Sequence, residues 1–359
     1  MIIKFADDFK IKLNSIPDKI TEYLKEEIDE HIFSDDADGE YDIRVEFKNS
    51  IEFDNETKYI TLGSGFSEKS FYLLDGMHNK IRIGSFREKK IVVEKNFNPK
   101  CFFEILEYLY VNKILGKNMM FLHSSGAVLE DKTIVFPACA GTGKTKMLIQ
   151  LMKKYNATFL GDDWTIIDNK GNVYPYLRNI RFWANDILKQ KEIFKGKAFV
   201  IPGLIGDHFD FTKKDKRSLR FIKKIYSNYL NKKLPIKIKA IDINKNSNMK
   251  YNCRNKIDYT IFFSRSNTAK INHESVKASV LTEKIICATL IENRLKPDYE
   301  DWAIFANQAD IDEKIVQIQK MKSIMESCFQ RTKNIWLTVP LKAFPDEIAT
   351  YVIKEIISE

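Results

Sequence analysis

The stretch "TIVFPACAGTGKTKMLIQL", Thr133 to Leu151, carries the reading of the fold. Thr133 to Phe136 alternate too little for a half-exposed strand and read as a buried one. A turn of small residues follows, then Gly143-Lys144-Thr145, then an amphipathic helix that buries Leu148, Leu151 and Met152. Strand, small-residue turn, Gly-Lys-Thr and helix together form a phosphate-binding loop. The standard pattern G-x-x-x-x-G-K-[ST] has glycine where this chain has Ala138. Gly141 and Gly143 stand where the tight turn and close approach are needed.

The chemistry expected of such a loop is mostly backbone chemistry. Consecutive N–H groups and the positive end of the helix would cradle a phosphate. The cradle predicted here is Ala140, Gly141, Thr142, Gly143, Lys144, Thr145 and Lys146. Lys144 would follow the terminal phosphates of ATP, and the Thr145 hydroxyl would bind Mg²⁺. A carboxylate must then hold the metal and manage the nucleophile's proton. "FLGDDWTIID" supplies Asp162 and Asp163 at the end of a strand Thr158 to Leu160, expected to run beside the loop strand. The two aspartates can divide the roles of Mg²⁺ ligand and base, and the sequence leaves open which takes which.

Outward from the loop, "GAVLE" and "KTIVF" predict a hairpin feeding it. Upstream, residues 1–118 predict a β-rich module: "YDIRVEF", "FYLLDG", "KIRIGSF" and "KIVVEK" alternate polar and apolar between Asn, Asp and Gly turns. A helix closes it, with Asn98 as N-cap, Pro99 at its first position, Gly116 at its end and Phe102, Ile105, Leu106 and Leu109 on its buried face. Residues 119–359 read as the loop-bearing domain. "DYTIFFSRS" and "KNIWLTVPL" are later strands, "SVKASVLTEKIICATLIENRL" a helix, and "FPDEIATYVIKEIISE" a terminal helix. A basic helical insertion is expected at about 186–256. Between 189 and 256 there are 19 Lys/Arg against 5 Asp/Glu, more than the +9 of the whole chain.

Composition bounds the class. The 359 residues are 44% hydrophobic and 30% charged, which is globular. Five scattered cysteines without a CxxC argue against a disulfide framework or zinc cluster and for a reducing, cytoplasmic setting. No apolar run is long enough to predict a membrane span. The basic balance favours an anionic partner.

"GTGKT" followed by "FLGDD" resembles the kinase motifs of phosphoenolpyruvate carboxykinase and of its smaller relatives, the HPr kinase/phosphorylase family. The smaller relatives fit better. "FLHSSGAVLEDKTIVFPA" resembles their Leu-His hairpin, "YPYLRNIRF" their P-x-x-R-x-I segment, and "IFFSR" their late strand ending in Arg. Ala138, Cys139 and Ala140 replace the usual loop residues, and the Arg-Gly-x-Gly signature of HPr kinases is absent, so the chain resembles a divergent member of the family. The resemblance implies an α/β fold: a P-loop core of mixed sheet with flanking helices behind a small β-rich N-terminal domain. It implies an ATP-dependent kinase with a hydroxyl acceptor on a peptide or protein. It places His123 and Arg265 at the phosphates and Arg178 and Arg181 toward the substrate. The alternatives are a kinase for an RNA or small-molecule hydroxyl, and a nucleotide-binding regulatory ATPase. The basic insertion, with Lys213, Lys214, Lys216, Arg217, Lys223 and Lys224, would dock an acidic peptide, protein or RNA. No membrane partner is expected, and the sequence leaves room for an oligomer.

Overall fold

The computed structural model describes residues 1–182, 236–238, 254–292 and 311–358, apart from residues 6–8, 29–31, 35–39, 56–58, 61–63, 67–69, 76, 85–89, 140 and 177. It is a mixed α/β protein. Among the described residues, three sheets of four or more strands combine parallel and antiparallel pairing with six α-helices. The chain forms two compact units, Met1–Arg178 with Asn246–Glu359, and Asn179–Lys245.

The first unit opens with β1 (Ile2–Lys4), β2 (Lys10–Asn14), α1 (Asp18–Glu27), β3 (Phe33–Ser34), β4 (Ile43–Lys48), β5 (Tyr59–Ile60), β6 (Ser64–Phe66), β7 (Ser70–Leu74), β8 (Lys80–Gly84) and β9 (Lys90–Glu94). These strands form one sheet in the order β3-β1-β2-β4-β9-β8-β7-β6-β5. Helix α2 (Pro99–Gly116) covers it. Asn98 caps α2 as expected, its Oδ1 accepting from the N–H groups of Lys100 at 2.9 Å and Cys101 at 3.3 Å. Phe102, Ile105 and Leu106 are buried, while Leu109 is half-buried and Tyr110 and Ile114 extend the apolar face. Gly116 is the last helical residue; the left-handed exit is taken by Asn118, at φ 59°.

Then follow β10 (Met119–Leu122), β11 (Ser124–Leu129), β12 (Lys132–Pro137), α3 (Lys144–Tyr155), β13 (Thr158–Gly161), β14 (Thr165–Asp168) and β15 (Asn172–Tyr174). In the second unit, β16 (Ile180–Phe182) pairs antiparallel with β17 (Ile236–Ile238). The first unit resumes with β18 (Asn255–Lys256), β19 (Tyr259–Ser266), β20 (Asn272–Ser275), α4 (Ala278–Glu292), α5 (Ile311–Phe329), β21 (Lys333–Pro340) and α6 (Pro345–Tyr351), which runs on as a π-helical turn Val352–Ile357. The predicted basic insertion falls almost wholly outside the described residues, as do Lys213, Lys214, Lys216, Arg217, Lys223 and Lys224.

One antiparallel sheet, β10-β14-β15-β18, joins two apolar cores. Side chains alternate across a strand. Met119, Phe121 and Ile166 therefore pack into the core of the N-terminal sheet and α2, and Met120, Leu122 and Ile167 into the core beneath α4 and α5. The sequence boundary at residue 118 lies between α2 and β10, and the first core runs across it.

The loop-bearing sheet has the order β13-β11-β12-β19-β21-β20. Here the structure corrects one expectation. The strand bearing the aspartates does not lie beside the loop strand: β11 stands between them, antiparallel to both. The hairpin return explains this, because β11 and β12 are joined by a tight turn and pair along their whole length. Two antiparallel steps restore direction, so β13 runs parallel to β12. Strands β12, β19 and β21 are mutually parallel. All four point their carboxyl ends at one edge of the sheet, the edge where open α/β sheets bind ligands.

Candidate functional site

At that edge, the chain leaves β12 through buried Ala138 and turns into α3. Gly141 and Gly143 have φ of 77° and 104°, which only glycine adopts without strain. A Cβ on Gly143 would also stand 3.1 Å from an Arg265 guanidinium nitrogen. Ala138, the residue after β12, is buried and has no positive φ, so its backbone does not call for the pattern's first glycine.

The loop is internally satisfied. The Lys144 ammonium donates to the carbonyls of Ala138 at 2.9 Å and Cys139 at 3.2 Å. The Thr142 hydroxyl donates to the Cys139 carbonyl at 2.9 Å. Arg265, at the end of β19, donates through Nε to the Thr142 carbonyl at 2.7 Å and through Nη1 to the carbonyls of Pro340 at 3.0 Å and Leu341 at 2.9 Å. It thus fastens the loop to the end of β21. Partial burial works against its charge and lowers its pKa.

The acid arrives from β13. Thr145 Oγ1, in the first turn of α3, donates to Asp162 Oδ1 at 3.1 Å and Oδ2 at 2.9 Å. Ser125 Oγ, on the intervening β11, donates to Asp162 Oδ1 at 2.6 Å. The inserted strand therefore contributes a hydroxyl that spans the gap it creates. Burial, then the neighbouring charge of Asp163, pushes the Asp162 carboxyl up to about 6; the Ser125 and Thr145 hydrogen bonds and the Lys144 charge hold it back.

The turn that presents the pair is tight. A Cβ on Gly161 would meet the Trp164 carbonyl at 2.5 Å, so glycine is required there. Asp163 then takes φ 63°, a left-handed conformation that aspartate tolerates better than most residues. His123 is buried between β10 and β11, its ring 5.2 Å from that of Trp164. It sits two residues before Ser125, on the same edge of the sheet.

The resemblance points two further arginines, Arg178 and Arg181, toward the substrate. Arg178 is buried in the core against Glu27 on α1 and Glu107 on α2. Arg181 lies on β16 in the second unit. Ala140 falls outside the described residues; Lys146 is half-exposed on α3. Direct bonds thus link the loop, Thr145, Asp162 and Arg265, with Asp163 and His123 beside them. Sequence reasoning missed Ser125 and Gly161. The signals were there: a hydroxyl pair opening an otherwise buried strand, and a glycine immediately before two acids.

The donor set fits a hard cation held partly by phosphate oxygens. Mg²⁺ is commonly bound through one or two carboxylates plus a substrate phosphate. Thr145 and Asp162 already share a hydrogen bond and could turn their oxygens to such an ion. Among the described residues, no group of three His, Cys, Asp or Glu side chains could hold a metal unaided. Among the same residues, no helix is long and apolar enough to cross a membrane. No protein-family model matches this chain, and comparison with curated proteins finds no significant match.

Proposed function

We propose that the chain is an ATP- and Mg²⁺-dependent phosphotransferase acting on a hydroxyl, with a P-loop core of the carboxykinase/HPr kinase type. The observation that carries this reading is the bonded set Thr145, Asp162 and Ser125 at the carboxyl edge of parallel strands, with the charge of Lys144 felt at Asp162. A small-residue turn before a helix has no need of a buried carboxylate bonded to its first hydroxyl. A phosphoryl-transfer site does.

Bound Mg·ATP would supply the electrophilic γ-phosphorus and neutralise phosphate charge. The chain's own residues do the rest. Backbone N–H groups at the head of α3 hold the phosphates. Lys144 exchanges two neutral carbonyls for phosphate oxygens, a stronger charge-assisted partnership. Thr145 and Asp162 offer the metal-facing oxygens. Asp163, less buried and carried on the turn beyond, is the group proposed to take the acceptor's proton. His123 is close to the same edge and supplies a donor for charge that develops in transfer. The acceptor is a hydroxyl of a peptide, a protein or another anionic molecule, in line with the excess of basic residues between 189 and 256.

The test is a titration of the full chain with a fluorescent ATP analogue and Mg²⁺, with Lys144→Ala alongside. Binding by the wild type and a loss of about a hundredfold in the variant, or roughly 2.7 kcal/mol, is expected. Equal affinity in a folded Lys144→Ala protein would remove the site assignment.

A further inference from the structure

Arg178 poses a question that stability does not answer. Its side chain is 6% exposed, and its partners Glu27 and Glu107 are 1% and 5% exposed at the side chain. Arg178 Nε lies 3.5 Å from Glu27 Oε2, and Nη1 lies 3.3 Å from Glu107 Oε1. The guanidinium also lies over the Phe103 ring at 5.2 Å. The Tyr176 hydroxyl donates to Glu107 at 2.5 Å, and the Tyr23 hydroxyl to Glu27 at 2.6 Å. Withdrawing such charges from water costs about as much as their attraction returns, so burial of this kind is weak evidence of a stabilising role.

The backbone shows where the cluster leads. Arg178 bridges to Ile28, just past α1, and its N–H donates to the Tyr176 carbonyl at 2.8 Å. Tyr176 in turn bridges to Gly161, and its N–H donates to the Leu160 carbonyl at 3.0 Å. A Cβ on Gly161 would stand 3.4 Å from the Tyr176 carbonyl and 2.5 Å from that of Trp164. No slack separates the cluster from the Gly161–Trp164 turn. Tyr176 also packs edge-on against Phe121 at 4.8 Å, Phe121 against Trp164 at 6.0 Å, and Trp164 lies 5.2 Å from His123.

We propose that Arg178 is a positioning residue for the candidate site: with Glu27 and Glu107 it ties the Gly161–Asp163 turn to α1 and α2, and so sets where the Asp163 carboxylate stands. The inference rests on the reading that Asp163 serves phosphoryl transfer. Two further observations agree with it. Asp163 is held at φ 63°, a left-handed conformation that costs a non-glycine residue some strain. Burial opposes the Arg178 charge, yet Glu107, Tyr176, Glu27 and Asp163 together hold its pKa above the ordinary value, so Asp163 lies within electrostatic reach. The N-terminal module is then part of the site's framework.

The test uses the full chain carrying Arg178→Gln, Arg178→Lys, and a triple variant with Glu27→Gln, Glu107→Gln and Arg178→Gln, which removes the charges together and guards against misfolding of the single one. Each is measured for fluorescent-ATP affinity, Mg·ATP turnover per folded molecule, and the signals of ¹⁵N-labelled tryptophan, with Trp164 identified by Trp164→Phe. In Arg178→Gln and the triple variant, affinity should stay within about threefold of wild type while turnover falls at least tenfold. Arg178→Lys should recover much of the turnover. The Trp164 amide should shift in both Gln variants without nucleotide present. Normal turnover in a folded triple variant overturns the proposal, as does loss of affinity in step with turnover. A wild type that binds no ATP would instead remove the kinase reading. The nucleotide-free Trp164 signal would then still decide the proposal: unmoved, it shows that Arg178 does not set the turn.

Discussion

Lys144 and Arg178 are both buried cations of the first unit, and they are held in opposite ways. Lys144 rests on two backbone carbonyls of its own loop, neutral acceptors within six residues of it. Arg178 is gripped by two carboxylates from two helices, with an aromatic ring beneath it. The first arrangement is easily exchanged when a stronger anion arrives. The second is permanent, since removing either partner strands a charge in the core. The difference separates a group whose partners are readily exchanged, as the proposed phosphate role of Lys144 requires, from one that holds a frame. Burial and charge alone do not distinguish them; the identity of the partner does.

The sharpest way to break this contrast is to truncate both. Arg178→Ala should destabilise the fold by about 3–5 kcal/mol, because Glu27 and Glu107 are left buried without a cation. Lys144→Ala should lower the melting temperature less, because the Ala138 and Cys139 carbonyls it leaves behind are neutral. Thermal melts of both settle it, and a costly Lys144→Ala would place Lys144 in the frame as well.

A medium effect concerns Asp162. Its folded pKa is raised to about 6 from an ordinary value of 3.8, so the folded state binds more protons between those limits. Stability from this group is therefore present at about pH 4 and lost as pH rises through about 6, by on the order of 2 kcal/mol. Asp162→Asn keeps acceptors for Ser125 and Thr145 and cannot ionise. The melting temperature of the variant minus that of wild type should grow between pH 4 and pH 7. A difference that stays flat would mean that Ser125, Thr145 and Lys144 offset burial fully.

The smallest effect belongs to Asp163. Glycine adopts φ 63° without a penalty, so Asp163→Gly should gain up to about 1 kcal/mol after the entropy of the more flexible unfolded chain is offset. Mg·ATP turnover should fall in the same protein. Gain with loss is the mark of strain kept for function. A variant that is less stable would show that the Asp163 side chain supports the turn.

Much of the site was legible because its signals are local. Gly141, Gly143, Lys144 and Thr145 lie within five residues, and the turn and helix they specify need no distant partner. The strand at Tyr259–Ser266, the cap at Asn98 and the buried face of α3 were legible for the same reason: period, capping chemistry and short spacing. Arg265 was placed at the loop from a resemblance, and the structure finds it there bonded to backbone carbonyls. Ser125 was missed because the hydroxyl pair that opens β11 does not by itself say which carboxylate it will face. Its value comes from lying across from Asp162, 37 residues away.

By itself, the sequence determined a glycine-bearing turn between a buried strand and a helix, an acid pair at a strand end, and a β-rich N-terminal region closed by a capped helix. Each of these follows from short-range sterics and hydrophobic periodicity. Only the tertiary structure decided that β11 lies between the acid strand and the loop strand, that Ser125 spans that gap, and that Arg178 belongs to the core and not to a surface. Strand order and charge pairing depend on which elements meet across long separations. In this chain Arg178 meets Glu27 and Glu107 because α1, α2 and Tyr176 converge on one apolar core, a contact that no local pattern encodes.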